Sequence, residues 1–492
     1  MSSESVEKCV ILITIDALRA DHLRLYGYSR NTAPNLEKFC KNGTLFQNAI
    51  TNGPETPSSF SAIFSSILPF LDGGYSPLPP QKITFPQILK ENDIFTYFIH
   101  SNPNLGSYFN YDRGFDVFFD GERYKREPSS SMNLNIKQQL SFYLKKIFDY
   151  KDLFRKLIFR VKGFNRLKAW IRKKIPNLTD ILLPFTPIAY NAPYITNKLI
   201  TFLNEAKKPF FIWAHFMDVH SPYNPPTQNV LSFTKDDIKI SRREFLTKNV
   251  YLRAKNTPIT QEMIKDLITL YDGEIHYVDD FLGRVLELIK ARYKENCLII
   301  LTSDHGESFY EHSLFGHQGT VYEEVLKIPL IIIKMGKKSI IKKVSDIVQL
   351  IDLAPTILNY FGIEIPENYQ GINLLPFLEG ETIEKERIIF SECYQKNGMM
   401  KRNHEEGYIL LSIKKEGWKY IYDEENNKEY IFNLKLDPAE KINLSNENKL
   451  KLFEFREIRD NHIQSSIISV DEKSKIMNAL NKFNFKALKK YE

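Results

Sequence analysis

At 492 residues the chain is long enough for two or three domains with an ample core. Hydrophobic content of 43% and aromatic content of 13% exclude a disordered protein, and no apolar run reaches the roughly 18 residues of a membrane-spanning helix. The net charge of +7 is uneven: residues 137–175 hold 13 Lys or Arg against Asp149 and Asp152, so this segment alone carries +11 and the rest is net acidic.

The elements follow in chain order. Val10–Ile15 is an apolar run without polar alternation, which predicts a strand buried on both faces. It ends in Asp16, a carboxylate that is costly to bury without a partner. Thr32–Asn42 reads as a helix with Pro34 near its start, and Phe95–His100 as a strand followed by the turn-rich Ser101-Asn-Pro-Asn. The basic segment comes next. Asn191–Ala206 then reads as a helix with Asn191 as N-cap and Pro193 in its first turn. Pro209–His215 is a buried strand, Thr260–Arg292 a long helix, and Cys297–Thr302 a second apolar strand that runs into Asp304 and His305. Val325–Ile333 is again strand-like. Strands alternating with helices predict a mainly parallel sheet that binds ligands at the carboxyl ends of its strands. Asp16, His215 and Asp304 all fall at such ends. From about residue 380 the texture changes to short antiparallel strands, at Arg387–Ser391, Tyr408–Ile413 and Trp418–Asp423, and residues 460–492 read as a polar helical tail.

Cys9, Cys40, Cys297 and Cys393 show neither a zinc spacing nor a disulfide framework, which fits a reducing compartment. The N-terminus lacks a basic stretch followed by an apolar one. The expectation is a soluble cytoplasmic protein, with peripheral membrane attachment left open.

Ile13-Thr-Ile-Asp16-Ala-Leu-Arg-Ala-Asp-His22 and Tyr26-Gly-Tyr28 stand near the start. Asn35-Leu36, Gly43-Thr-Leu-Phe46 and Gly114-Phe-Asp116 follow, then His215-Phe-Met-Asp-Val-His220-Ser-Pro-Tyr223 and Tyr271-Asp-Gly-Glu-Ile275. Ser303-Asp-His-Gly-Glu307, Gly316-His317-Gln-Gly-Thr-Val-Tyr-Glu323, Asp352-Leu-Ala-Pro-Thr356 and Leu436-Asp-Pro-Ala-Glu440 complete the series. In this order the set resembles the sulfatase family of the alkaline phosphatase superfamily. The resemblance covers most of the chain. It implies an α/β fold with an alkaline-phosphatase-like, mainly parallel central sheet flanked by helices, over residues 1–380. A smaller C-terminal α+β domain is expected over 381–492, and a basic helical insertion at 121–190.

The resemblance also implies a nucleophile within Gly53-Pro-Glu-Thr56-Pro-Ser-Ser-Phe60-Ser. Sulfatases that carry formylglycine have Cys-x-Pro-Ser-Arg there. Aligned back from Ser65-Ser-Ile-Leu-Pro69, that position is Thr56, with Phe60 where the Arg stands; a shift of one residue puts Glu55 there instead. A Thr hydroxyl is a poor nucleophile at neutral pH unless a divalent cation lowers its pKa, as it does for bound water, from about 15.7 to about 7. The expected ligands of one such cation are Asp16, Thr56, Asp304 and His305. His305 stands where sulfatases usually have Asn, a softer donor that favours Mn or Zn over Ca, with Mg also open. His215, His220 and His317 are candidates for contacts to the substrate oxyanion or for protonating the leaving group.

Within 137–175, Ile147, Phe154, Leu157, Ile158, Val161, Phe164, Leu167, Trp170 and Ile171 recur near helical spacing among the basic residues. Such a pattern suits an anionic membrane surface or a helical lid. Nucleic-acid binding has no supporting motif. The expectation is a metal-dependent hydrolase that cleaves a sulfate or phosphate ester through metal-bound Thr56. The alternatives are a phosphoryl transferase acting on a lipid-linked or cell-surface glycan precursor, and an inactive family member that serves as a binding protein.

Overall fold

The computed structural model describes residues 8–72, 77–80, 82–121, 192–251, 258–336, 342–382, 387–396, 399–400 and 407–466. The basic segment 137–175, nearly all of the insertion expected at 121–190 and the end of the tail from 467 lie outside them.

An eight-stranded sheet forms the centre. Its strands are β1 (Cys9–Ile15), β2 (Thr44–Ile50), β3 (Phe95–His100), β4 (Val117–Asp120), β5 (Phe210–Phe216), β6 (Cys297–Thr302), β9 (Lys327–Lys334) and β10 (Lys342–Gln349). The order across the sheet is β10-β2-β9-β6-β1-β5-β3-β4. All neighbours are parallel except β9, which runs antiparallel to both β2 and β6. A two-stranded ladder, β7 (Ser308–Phe309) with β8 (Phe315–Gly316), follows the end of β6.

Strand β1 shows why an uninterrupted apolar run sits here. Cys9, Ile11, Ile13 and Ile15 face one core, while Val10 and Leu12 face the other. A strand buried on both faces has no position for a polar side chain until it ends. The first core is covered by α1 (Pro34–Cys40), α4 (Ala192–Glu205) and the 32-residue α5 (Gln261–Arg292). The second is covered by α2 (Thr56–Ser65), α3 (Phe85–Glu91) and α7 (Leu353–Phe361).

The strand expected at Val325–Ile333 begins two residues late, at Lys327. Glu323–Leu326 form a short helical turn, α6, and β9 follows. The helix expected at Thr32–Asn42 is trimmed to α1.

The C-terminal part is a five-stranded antiparallel sheet in the order β12-β11-β13-β14-β15. Its members are β11 (Ile389–Lys396), β12 (Met399–Met400), β13 (Tyr408–Lys415), β14 (Trp418–Asp423) and β15 (Lys428–Asn433). A helix over 449–466 packs Leu452 and Phe455 on its Leu411, Ile413, Tyr420 and Ile431. β11 touches the segment that leads into α2: Ser391 Oγ donates to the Thr51 carbonyl (2.6 Å), and the Glu392 N–H donates to the Asn52 carbonyl (2.9 Å). The small sheet thus helps to set where Thr56 stands. None of the described helices is long and apolar enough to cross a membrane.

Candidate active site

The site is built at the carboxyl ends of β1, β5 and β6, with the first residue of α2 facing them. Asp16 follows β1, and Asp304 and His305 follow β6; all three are fully buried. Ser303 ties the two strand ends together, donating to the Ile15 carbonyl (2.6 Å) and accepting from the Leu18 N–H (2.9 Å).

Thr56 Oγ1 donates to Asp304 Oδ2 at 2.9 Å and lies 3.5 Å from both Asp16 Oδ2 and His305 Nε2. The other Asp304 oxygen accepts from the backbone N–H groups of His305 (3.0 Å) and Ala17 (3.3 Å). Glu55, the other nucleophile candidate, is buried, but its Oε1 has no hydrogen-bond partner. Burial pushes its carboxyl up to about 8. It is Thr56 that converges with Asp16, Asp304 and His305.

Hydrogen bonding fixes the histidine tautomers. His305 and His220 each place Nδ1 on a backbone carbonyl, that of Gly306 (2.8 Å) and Ser221 (2.7 Å) respectively. A carbonyl only accepts, so Nδ1 carries a hydrogen, and in the neutral ring Nε2 keeps its lone pair. The His305 Nε2 atom stands 3.6 Å from Asp16 Oδ1 and from Asp304 Oδ2. His215 is arranged the other way. Trp213 Nε1–H donates to Thr14 Oγ1 (3.0 Å), which lies 2.8 Å from His215 Nδ1 and donates to it when the ring hydrogen is on Nε2. His215 Nε2–H then donates to Asp16 Oδ2 (3.2 Å).

Asp16 Oδ2 also accepts from Asn102 Nδ2 (2.9 Å), while Asp16 Oδ1 is buried without a hydrogen-bond partner. An orphaned, fully buried carboxylate oxygen beside a second carboxylate, a hydroxyl and a bare imidazole nitrogen suits a divalent cation. Asp16, His215 and Asp304 are the one group of three close metal-ligand side chains among the described residues, with donor atoms within 4.8 Å of one another. The tautomer places His215 behind Asp16 as its hydrogen-bond donor and leaves His305 Nε2 as the nitrogen facing the carboxylates.

The electrostatics follow from burial and charge. Burial raises the Asp16 carboxyl, but His220, His215 and His305 outweigh it and hold it well below the usual carboxylate range. Burial lowers His305, and the Asp304 and Asp16 carboxylates reverse this and raise it. His317 is lowered, by burial first and by His305 second.

His317 and His220 line the same site, with ring centroids 4.1 Å from His305 to His317 and 5.2 Å from His220 to His317. All seven residues singled out from the sequence are therefore in one place, with His215 in a supporting position. The sequence analysis assigns a role to neither Asn102 nor Glu307. Asn102 follows the end of β3, so the strand-end reasoning applied to Asp16 extends to it. His100 is buried among aromatic rings. Both nitrogens of His312 are engaged, by Glu324 Oε1 (2.8 Å) and the Glu440 carbonyl (3.1 Å).

Other motif residues act as struts. Asp272 accepts from Tyr28 (2.8 Å) and Arg30 (2.7 Å) and pairs with His22 Nδ1 (2.7 Å). Asp279 takes the Asn35 and Leu36 N–H groups at the start of α1, each at 2.8 Å. Phe60 is buried in the second core, stacked on Trp213 at 5.0 Å and edge-on to His215 at 5.0 Å.

With this geometry defined, the chain matches the sulfatase family over residues 8–363 and the C-terminal region of N-sulphoglucosamine sulphohydrolase over residues 310–462. It belongs to the sulfatase family and is an ester-bond hydrolase. It is 23% identical to an arylsulfatase of Clostridium perfringens over 477 residues, covering 90% of this chain and 91% of that one. It is 24% identical over 490 residues to the multifunctional alkaline phosphatase superfamily protein PehA of Trinickia caryophylli, covering 89% and 91%. Among solved structures it is similar to the phosphonate monoester hydrolase of Agrobacterium radiobacter, with a TM-score of 0.66 at 19% identity over 93% of this chain and 96% of that one.

Proposed function

We propose that the protein hydrolyses an anionic sulfate or phosphate ester through Thr56, with a leaning to phosphoesters. The observation that carries this reading is the convergence of Thr56 Oγ1 with Asp304 Oδ2, Asp16 Oδ2 and His305 Nε2 within 2.9–3.5 Å, beside the orphaned Asp16 Oδ1. Asp16, Thr56, Asp304 and His305 are the residues that would hold a divalent cation. When bound, the cation lowers the pKa of a coordinated oxygen and offsets charge on the transferring group.

The chain's own residues do the rest. Asp304 Oδ2 orients the Thr56 hydroxyl and is the first acceptor for its proton. Thr56 Oγ1 attacks the sulfur or phosphorus as the ester bond to the leaving oxygen breaks. That oxygen takes a proton from Nε2 of His220 or His317 in its imidazolium form, which carries a hydrogen on Nε2 as well as on Nδ1. Water then cleaves the Thr56 ester and releases the inorganic anion. Asn102 Nδ2, 3.4 Å from Thr56 Oγ1, adds a donor at the attacking oxygen.

The leaning to phosphoesters rests on the thiols. All four cysteines are buried, Cys9, Cys40 and Cys297 in the first core and Cys393 under the small sheet. None stands where a formylglycine would be needed. The likeness to a phosphonate monoester hydrolase and to a multifunctional superfamily member points the same way.

The test is turnover of matched aryl sulfate, phosphate monoester and phosphodiester substrates by metal-stripped protein, with Mn, Zn, Mg or Ca restored and Thr56→Ala as control. Phosphoester turnover that needs metal and falls by about 10³-fold or more in Thr56→Ala is expected. Full activity of Thr56→Ala would sink the nucleophile assignment, and a sulfate preference would overturn the leaning to phosphoesters.

A further inference from the structure

Glu307 is fully buried, and its carboxylate accepts from both the Tyr223 hydroxyl (2.9 Å) and the Tyr251 hydroxyl (3.0 Å) at Oε2. Its other oxygen, Oε1, meets His317 Nδ1 at 3.2 Å. The three partners come from three separate segments: the turn after β5, the helical stretch Leu246–Tyr251, and the loop after β8. A carboxylate that needed only to be neutralised would be met by a Lys or Arg. This one is met by two neutral donors on one oxygen and a single ring nitrogen on the other.

The backbone beneath it is fixed as firmly. The Glu307 N–H donates to the Glu324 carbonyl (3.1 Å), and its own carbonyl accepts from Arg19 Nη1 (2.9 Å). Arg19 is held in turn by Asp21 Oδ1 (2.8 Å) and Glu311 Oε1 (2.5 Å). Because a carboxylate accepts only, its contact to His317 holds the hydrogen on Nδ1. Nε2 of His317 has no partner among the described residues, and the ring lies against His305.

We infer that Glu307 is a positioning residue for His317. Through Nδ1 it fixes the tautomer and the plane of the ring, and so directs Nε2 at the reacting ester. Tyr223 and Tyr251 keep the carboxylate from turning away. The same logic governs metal-bound histidines, where removing the group behind the ring typically costs about 10–100-fold in affinity or activity. The inference rests on the ester-hydrolysis reading for what His317 acts upon, but not for how the ring is held.

A double-mutant cycle with Glu307→Gln and His317→Ala separates positioning from bulk structure, because only groups that act through one another lose additivity. Glu307→Gln is expected to lower kcat about 10–100-fold with KM changed less than about 3-fold, and to cost less than about 3-fold once His317 is Ala. Equal costs in both backgrounds, or no cost in either, would overturn the inference. Should Glu307→Gln not fold, Tyr251→Phe leaves the His317 contact intact and removes one of the two hydroxyls that hold the carboxylate. It should show a smaller loss that likewise vanishes with His317→Ala.

Ring-nitrogen NMR on ¹⁵N-histidine protein gives a readout that needs no turnover. His317 should carry its hydrogen on Nδ1 in the native protein and lose that preference in Glu307→Gln. A His317 signal that is the same in both would count against the inference. If no ester of the panel is turned over while the NMR behaves as expected, the proposed function fails and the positioning role stands.

Discussion

Gly306 sits where no side chain fits: a Cβ there would stand 2.2 Å from the Glu324 carbonyl oxygen, a backbone atom with no freedom to yield. Gly306→Ala should displace the loop that carries Asp304, His305 and Glu307. The expected result is a loss of kcat of at least about 10-fold together with a lower thermal midpoint, since overpacking costs roughly 1–3 kcal/mol; unchanged kcat would show that the loop adapts. Behind Asp16 the chain Trp213–Thr14–His215 sets which carboxylate oxygen is left over. Thr14→Val keeps the shape and removes the hydroxyl. Calorimetric titration of the stripped protein with Mn or Zn should show affinity weakened about 10–100-fold, and equal affinity would mean that the relay does not orient Asp16. At this scale the sequence was legible where burial forces a choice. Asp16 and Asp304 end apolar runs, and a carboxylate in that position needs a partner. Glu307 was opaque because its partners, Tyr223, Tyr251 and His317, lie on segments that only the fold brings together.

Among the elements, α6 joins the active-site loop to the small sheet. Glu323 accepts from Lys414 Nζ (2.8 Å) and Lys419 Nζ (3.0 Å), and Lys419 also pairs with Glu440 (2.7 Å). Lys419 is fully buried. Removing one member of a buried charge network leaves the others uncompensated, at about 3–5 kcal/mol. Lys419→Met strips Glu440 of its ammonium, and its urea midpoint should fall accordingly; a midpoint within error of the native one would mean that the network is solvated. Burial raises the Glu323 carboxyl, but Lys414 and Lys419 more than reverse this and bring it from 4.5 to about 2. A folded-state pKa below the unfolded one gives stability that is complete above about pH 4.5 and is lost as the pH falls toward 2. Stability measured across that window should therefore depend less steeply on pH in Glu323→Gln than in the native protein. Among the elements that sequence reasoning found, β1, β5, β6 and α5 have long uninterrupted patterns. β2 and β10 escaped it because their polar and basic positions, Gln47, Asn48 and Lys343 among them, break the apolar run near the edge of the sheet.

For the whole molecule, the architecture of a mainly parallel sheet with a small antiparallel sheet after it was readable from the alternation of elements. The insertion of β9 antiparallel between β6 and β2 was not, because strand direction depends on connections that no local pattern records. A cation that binds only the folded chain stabilises it by mass action, by about 2.7 kcal/mol at a hundredfold excess over its dissociation constant. Chelation should therefore lower the thermal midpoint and re-addition restore it. The Asp16→Asn variant should respond far less, and an equal response in both would place the cation elsewhere. The position of β1 also governs how the chain is made. It is the first of the sheet's described strands in chain order, yet its two neighbours begin at Phe210 and Cys297. About two hundred residues separate Cys9–Ile15 from its first partner and nearly three hundred from its second, so until β6 leaves the ribosome an apolar seven-residue strand keeps at least one edge unpaired. Such late pairing slows folding and exposes a sticky edge. Nascent chains of this protein should thus depend on chaperone cover until β6 emerges, and fragments that end before it should aggregate.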